Sequence, residues 1–430
     1  MKLIEKILKI FTGLMLFLLP WQTIFIYKET FLNGDKLQYG TLGFYATEGI
    51  LFLTTIFFII WFSKKKKINI TNKFKFTKER IFLLALILFL IYALASRFWA
   101  INSDISGQNS LHLIEAVIFF LIILLGPLKF RESTIIFILG ATIQSIFGIW
   151  QFLTQTTFAF KWLGLAEHSV IEAGTSIISS PEVGRWMRAY GAFPHPNIFG
   201  GYLVISLMLT GLTILKSKKN SFLFINFLTT LQITALFFTF SRSAWIAFFV
   251  FFISVIFFIR QHKKIELLEY VFVPILLFII LSIIYFPLIQ TRFSQNSVNE
   301  ITSTTERVSG LKESLQIITK NPILGVGHGN YSLALFQLNN TRPGWEYQPV
   351  HNVFLLILAE LGFLGLILNY IFIGLYLKCF DPNTSKKILL LISPILFLLL
   401  FDHYLWSSYT GILIFGAFLA FTSRFYLNKY

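Results

Sequence analysis

A chain of 430 residues that is 56% hydrophobic and only 13% charged, with a mean hydropathy of +0.72, lies far from soluble domains, whose charged fraction is about a quarter. These values exclude an ordinary soluble protein and call for a polytopic membrane protein. A single cysteine, Cys379, excludes an internal disulfide and a cysteine metal cluster, and the net charge of +16 has to be read from where it falls.

Twelve apolar runs approach the roughly 20 residues that a helix needs to cross a bilayer. They lie near 8–27, 42–62, 81–97, 110–127, 133–153, 197–215, 221–240, 243–259, 267–289, 351–377, 387–402 and 409–424. The first has no small-residue cleavage site and is read as a retained helix. The prediction is an all-α, multi-pass bundle of about 12 transmembrane helices forming one membrane domain over residues 1–430.

The connections at 64–80, 126–132, 216–220, 260–266 and 378–387, with both termini, hold most of the 36 Lys and Arg. By the positive-inside rule these are cytoplasmic, which puts both termini inside the cytoplasmic (inner) membrane. The basic excess is thereby explained without nucleic acid, and Lys64 to Lys67 suit anionic membrane lipids.

Two long outer segments are left, 154–196 and 290–350. In the second, Ser303-Thr304-Thr305-Glu306 has capping-box spacing, and Val308, Leu311, Leu315 and Ile318 recur on one helical face up to Asn321-Pro322. The spacing predicts a helix over 304–320 lying on the outer membrane surface. Gly325 to Gly329 reads as a tight turn, and Trp345 and Tyr347 as interfacial anchors.

Six of the seven histidines fall at this outer rim, as do Arg185, Arg188, Arg242 and Arg307. Pro194 and Pro196 hold the segment that presents Arg188 and His195 extended until Asn197 caps the next run. Arg242 sits in an outer hairpin of two or three residues, where it either snorkels or binds an anion. Guanidinium forks match phosphate oxygens, so Arg188, Arg242 and Arg307 together read as an anion site, although Arg307 alone suits a solvated face equally well. His351 beside Asn352 is a helix-start ring or a base, and His195 and His328 pack or hydrogen-bond their loops. No His-x-x-x-His or Asp-x-Asp spacing exists, so no metal is expected. Glu48, Glu115 and Glu360 lie within spans, either as bonded structural groups or as parts of a proton or ion path.

From about 185 to 375 the chain resembles the O-antigen ligase and Wzy-type polymerase superfamily of bacterial lipid-linked glycan transferases. The matching pieces are Arg188-x-x-Gly191-x-x-Pro194-x-Pro196-Asn197, Ser241-Arg242-Ser243-Ala244, Arg307 ahead of Asn321 to Asn330, and His351-Asn352 with Ala359 to Gly365. The resemblance implies a GT-C-type bundle whose outer loops close over a cavity. It makes Arg188, Arg242 and Arg307 ligands of a donor pyrophosphate, with Asn197 and His195 in the same substrate-binding segment and His351 next to the acceptor hydroxyl. It further implies a glycan donor on undecaprenyl pyrophosphate, an acceptor that is a glycan, a lipid or a protein, an extracytoplasmic active site, no cofactor and no metal. A transporter or flippase for lipid-linked glycans is the rival class, which would carry inverted repeats and midplane polar groups. A protein O-oligosaccharyltransferase is the alternative among transferases.

Overall fold

The computed structural model describes residues 1–65, 78–172, 174–216, 222–262, 265–293 and 298–427. Lys66 and Lys67 of the basic run, and parts of the 216–220 and 260–266 connections, lie outside the described residues. In chain order the elements are α1 (Lys2–Leu18), β1 (Ile24–Lys28), β2 (Phe31–Leu32), β3 (Asp35–Lys36), β4 (Leu42–Tyr45), α2 (Ala46–Lys65), α3 (Lys78–Ala95), α4 (Ser103–Leu125), α5 (Phe130–Thr154), β5 (Ile177–Ser180), β6 (Gly184–Met187), α6 (Pro196–Leu215), α7 (Phe222–Phe238), α8 (Arg242–His262), α9 (Ile265–Ile284), α10 (Phe286–Phe293), α11 (Val298–Lys320), α12 (Tyr331–Leu338), α13 (Val353–Lys378), α14 (Pro382–Phe401), α15 (Tyr404–Ser407) and α16 (Tyr409–Leu427).

The protein is a mostly helical membrane bundle. Eight helices among the described residues are long and apolar enough to cross a membrane, nine if α9 and α10, bent by 87°, make one span. α7 and α8 fall short, their apolar lengths being Phe224–Phe238 and Arg242–Phe257. Of the twelve expected crossings, eight or nine meet the length and composition of a span among the described residues.

α6 is the central post. Almost every residue from Pro196 to Ile214 is buried, because α5, α7, α8, α9, α14 and α16 pack around it. A helix apolar on all faces has no solvent side to present, and it sits where neighbours cover it throughout.

The end of the bundle that carries the two long connections is not purely helical. Three small antiparallel pairs, β1 with β4, β2 with β3 and β5 with β6, cover it. The first run is accordingly shorter than expected. α1 stops at Leu18, and Ile24 to Lys28 belong to a strand with exposed Phe25 and Tyr27. The surface helix begins at Val298 rather than 304, so Ser303 to Glu306 lie inside it and form no cap. The backbone already bonds there, and the Thr304 hydroxyl donates to the Glu300 carbonyl at 2.9 Å. On this helix Val308, Leu311 and Leu315 are exposed and Ile318 is buried. Tyr347 is no interfacial anchor: it is fully buried, with its hydroxyl donating to the Asn339 carbonyl at 2.8 Å, whereas Trp345 is exposed.

α13 is two helices joined at Gly362, which has φ 65° and ψ −172°. The interrupted backbone groups are taken up by the loop after α11. Val326 and Gly327 donate to the carbonyls of Ala359 and Glu360 at 3.0 and 2.9 Å, and Phe363 donates to the Pro322 carbonyl at 2.8 Å. A helix break within an apolar bundle is tolerable only where neighbours satisfy the freed groups in this way. Two of the three carboxylates of the spans find partners, Glu48 meeting His112 at 2.8 Å and Glu360 accepting from Trp406 Nε1 at 2.9 Å, whereas Glu115 Oε2 is buried with no hydrogen-bond partner among the described residues.

Candidate active site

The segment carrying Arg188 is held from below by α5. Gln151 Oε1 accepts from the amides of Tyr190 and Gly191 at 3.0 and 2.8 Å, and its Nε2 donates back to the Gly191 carbonyl at 2.9 Å. Gln144 Oε1 accepts from Ala192 N, and Gln155 Oε1 from Met187 N. Gly191 has φ 59°, and a Cβ there would stand 3.2 Å from Gln144 and Phe199. Pro196 then occupies the first turn of α6, and His195 Nδ1 accepts from Asn197 N at 3.1 Å as its cap.

Arg188 is 4% exposed and spends three donors on neutral acceptors. Nε reaches the Thr239 carbonyl at 2.6 Å, Nη1 the Ser176 hydroxyl at 2.8 Å and Nη2 the Asn197 Oδ1 at 2.7 Å. Burial, with Arg292 nearby, pushes its guanidinium well below the usual range. The turn between α7 and α8 supplies the carbonyls. Phe240 has φ 45°, which turns the chain sharply, and its own carbonyl accepts from Arg292 Nε at 3.0 Å. The arginines thus meet the negative end of α7.

Arg242 opens α8. Its Nη1 lies 3.2 Å from Glu300 Oε2 on α11, and the other oxygen of that buried carboxylate is taken by Arg292. Arg307, one face further along α11, is half-buried and has no carboxylate within 4 Å among the described residues. Burial lowers its guanidinium against the pull of Asp402, and Arg242 lowers it further, so both groups lie near it. Four guanidinium groups (Arg188, Arg242, Arg292 and Arg307) therefore gather around two carboxylates (Glu300 and Asp402), with an excess of positive charge.

Asp402 links the two ends of the site. Its Oδ2 accepts from Asn197 Nδ2 at 3.2 Å, and its Oδ1 accepts from the His403 amide at 3.0 Å. The same Oδ1 is 3.6 Å from His351 Nδ1, an ion-pair contact just beyond hydrogen-bond length. The His351 side chain is 28% exposed, and its ring lies 5.0 Å from that of His403, whose Nδ1 is bonded to Ser407 Oγ at 2.7 Å. Burial pushes the Asp402 carboxyl up, but the histidines around it, His351 first, more than reverse this and hold it well below the carboxylate range. Burial, with His351 beside it, pushes the His403 ring down to about 3, and burial with Arg188 does the same for His195.

Of the sequence-based candidates, Arg188 and Asn197 are bonded to each other, and Asn197 and His351 both meet Asp402. Arg242 and Arg307 stand in the same cationic group, and His195 caps α6. Sequence reasoning did not single out Arg292, Glu300, His403 or the three glutamines. The glutamines had a signal: positions 144, 151 and 155 fall on one face of a helix otherwise apolar. His351, Asp402 and His403 offer ligand atoms within 4.8 Å of one another, as do Glu48, His112 and Glu115 among the spans. The first set could hold a cation, although Ser407 already engages the Nδ1 of His403.

Residues 227–370 match the family model described as O-antigen ligase. That stretch contains Arg242, Arg292, Glu300, Arg307 and His351. A protein named ComP-specific O-oligosaccharyltransferase, from Acinetobacter baylyi, is 26% identical to this chain over 253 residues, which is 56% of this chain and 44% of that protein. The chain therefore matches less than half the length of that relative. Over residues 227–370 the chain is thus similar to the O-antigen ligase family.

Proposed function

We propose that the protein is a membrane glycosyltransferase that moves a glycan from undecaprenyl pyrophosphate to an acceptor hydroxyl at the outer face of the cytoplasmic membrane. The observation that carries this reading is the cationic group of Arg188, Arg242, Arg292 and Arg307, joined through Asn197 and Asp402 to the partly open ring of His351. A buried guanidinium without a contacting carboxylate, as at Arg188, is costly unless an anion arrives.

In the reaction, the acceptor oxygen bonds to the anomeric carbon while the bond from that carbon to the pyrophosphate oxygen breaks, its electron pair leaving with the phosphate. The acceptor proton passes to His351. Asp402 beside Nδ1 favours the tautomer that keeps its proton there, so that Nε2 is the base. Arginines already aimed at the leaving pyrophosphate stabilise the charge that develops on it. The donor chemistry needs no metal on this reading.

Incubating the purified protein with lipid-linked oligosaccharide tests it. The expected result is release of undecaprenyl pyrophosphate together with glycosylated acceptor, undiminished by chelator. Absence of both products would overturn the reading. Loss of turnover in chelator, restored by magnesium or manganese, would make His351, Asp402 and His403 metal ligands. For the side, the charge asymmetry of the loops predicts that a cysteine at Ser309 reacts with an impermeant reagent in intact cells and one at Ser385 does not.

A second reading, a protein O-oligosaccharyltransferase, is favoured by the name of the Acinetobacter relative. It differs only in the acceptor, and a protein acceptor that is glycosylated in place of a glycan or lipid would select it.

A further inference from the structure

The cationic group ends at the paired rings of His351 and His403, and His403 is also a wall of a cavity of about 160 Å³. The cavity runs from Tyr39, between the small hairpins, to Asn109 and His112 on α4 and to Trp406 on α15. Its lining differs in kind from the arginine side.

Among the described residues no lysine or arginine lines it, so a phosphate would find no countercharge. The lining includes one carboxylate, Glu360, and that group already accepts from Trp406 Nε1. A cationic ligand is therefore poorly matched as well. Gln108 is bonded to Tyr27 and Gly43 and the Asn109 Nδ2 to the Ile105 carbonyl, but a lipid chain would leave the Gln38 amide and the Asn109 Oδ1 facing hydrocarbon, which is unfavourable for an unpaired polar group. Ser332 lines the cavity and is 2% exposed, and its hydroxyl has no hydrogen-bond partner among the described residues. The ligand that suits neutral amides, a buried hydroxyl and the aromatic rings of Tyr39, Tyr45 and Trp406 is an uncharged ring with hydroxyl groups at its edge and C–H groups on its faces.

We propose that this cavity binds an uncharged pyranose residue of the acceptor glycan and turns one of its hydroxyls toward His351. The proposal rests on the transferase reading for the word acceptor, and on the cavity alone for the sugar. Tyr39, Asn109 and His112 lie outside the stretch matched by the family, residues 227–370.

Binding can be read without turnover. Methyl glycosides of glucose, galactose, N-acetylglucosamine and rhamnose are presented at millimolar concentration to the full-length protein in detergent, and saturation transfer from protein to sugar is measured by NMR. At least one glycoside should receive saturation. Ser332→Ala removes a hydroxyl that bonds nothing internal, so it should leave the melting temperature unchanged while weakening that glycoside roughly 2- to 10-fold. Tyr39→Ala should weaken it comparably, and Arg242→Lys should not. No saturation of any glycoside, or saturation equal in wild type, Ser332→Ala and Tyr39→Ala, would overturn the sugar site and leave a water-filled cleft. In transfer assays Ser332→Ala should raise KM for the acceptor and leave KM for the lipid-linked donor unchanged. The opposite pattern would overturn the acceptor assignment and give the sugar to the donor. A protein that binds the glycoside but transfers nothing would sink the transferase reading and spare the site.

Discussion

Nδ1 of His351 and Oδ1 of Asp402 face each other at 3.6 Å, the first on a partly open ring just before α13 and the second buried at the end of α14. The pair joins two consecutive helices at the ends opposite their short connection at 379–381. A histidine so placed keeps one nitrogen toward a fixed anion and the other free for substrate.

The pair makes a graded prediction. His351→Ala should lose about 10² to 10⁴ in kcat, the usual share of a general base. Asp402→Asn removes only the charge behind the ring and should lose roughly 10- to 100-fold, within the range for a hydrogen bond to a charged group. The double variant should be no worse than His351→Ala, since the two act as a unit. Fully additive losses in single-turnover assays would mean that the two residues work separately.

Arg188 and Arg242 should respond differently to lysine. Arg188 uses three nitrogens in three directions, so Arg188→Lys should lower both the melting temperature and the rate, because one ammonium cannot reach Thr239, Ser176 and Asn197 together. Arg242 is more open, and Arg242→Lys should keep the fold while raising KM for the donor. Equal and small effects from both would leave them as rim anchors.

Glu300 is the counter-ion of Arg242 and Arg292, and it is buried. Glu300→Gln should destabilise by about 3–5 kcal/mol, as expected when one partner of a buried pair is removed. Adding Arg292→Met should restore part of that loss, since the uncompensated charge goes with it. Thermal unfolding in detergent, followed by tryptophan fluorescence, reads both.

His328 and His403 set the acid limit of stability. Burial, with His112 behind it, holds His328 at about 3, and His403 stands at about 3 as well. In the unfolded chain each would titrate near 6.5, so below that pH the unfolded state takes up protons that the native state refuses. The stabilisation is full above about pH 6.5 and declines towards pH 3, with a slope of about 1.4 kcal/mol per pH unit for each ring. His403→Asn should flatten the fall of the melting temperature with acidification. An unchanged slope would assign the acid sensitivity elsewhere.

The helices were legible because apolar runs announce themselves by length, and the positions of twelve runs correspond to helices in the structure. What composition could not give was which of them are long enough to cross. α7 and α8 read as full spans because the turn at 239–241 hides between two apolar stretches. Arg188, Arg242 and Arg307 stood out because arginine is costly at an apolar boundary. Arg292 and Glu300 did not, since on either side of 294–297 they look like ordinary loop charges until folding brings them together. The hairpins of the N-terminal region escaped notice for another reason: Ile24 to Lys28 is too short and too apolar to be told from the end of a helix by periodicity alone.

The interruption at Gly362 seats the adjoining ends of both halves of α13 on one loop, that at 322–327. Residues 353–361 are fastened to the loop at 322–327 by backbone bonds, and a Cβ on Gly362 would come within 2.1 Å of the Ile323 carbonyl. The register of His351 against Asp402 is therefore inherited from a loop that touches neither residue. The short glycine-rich motif at 325–329 works as the bearing of a lever whose far end carries His351, and a change there reaches the His351–Asp402 pair through backbone position, without altering any charge.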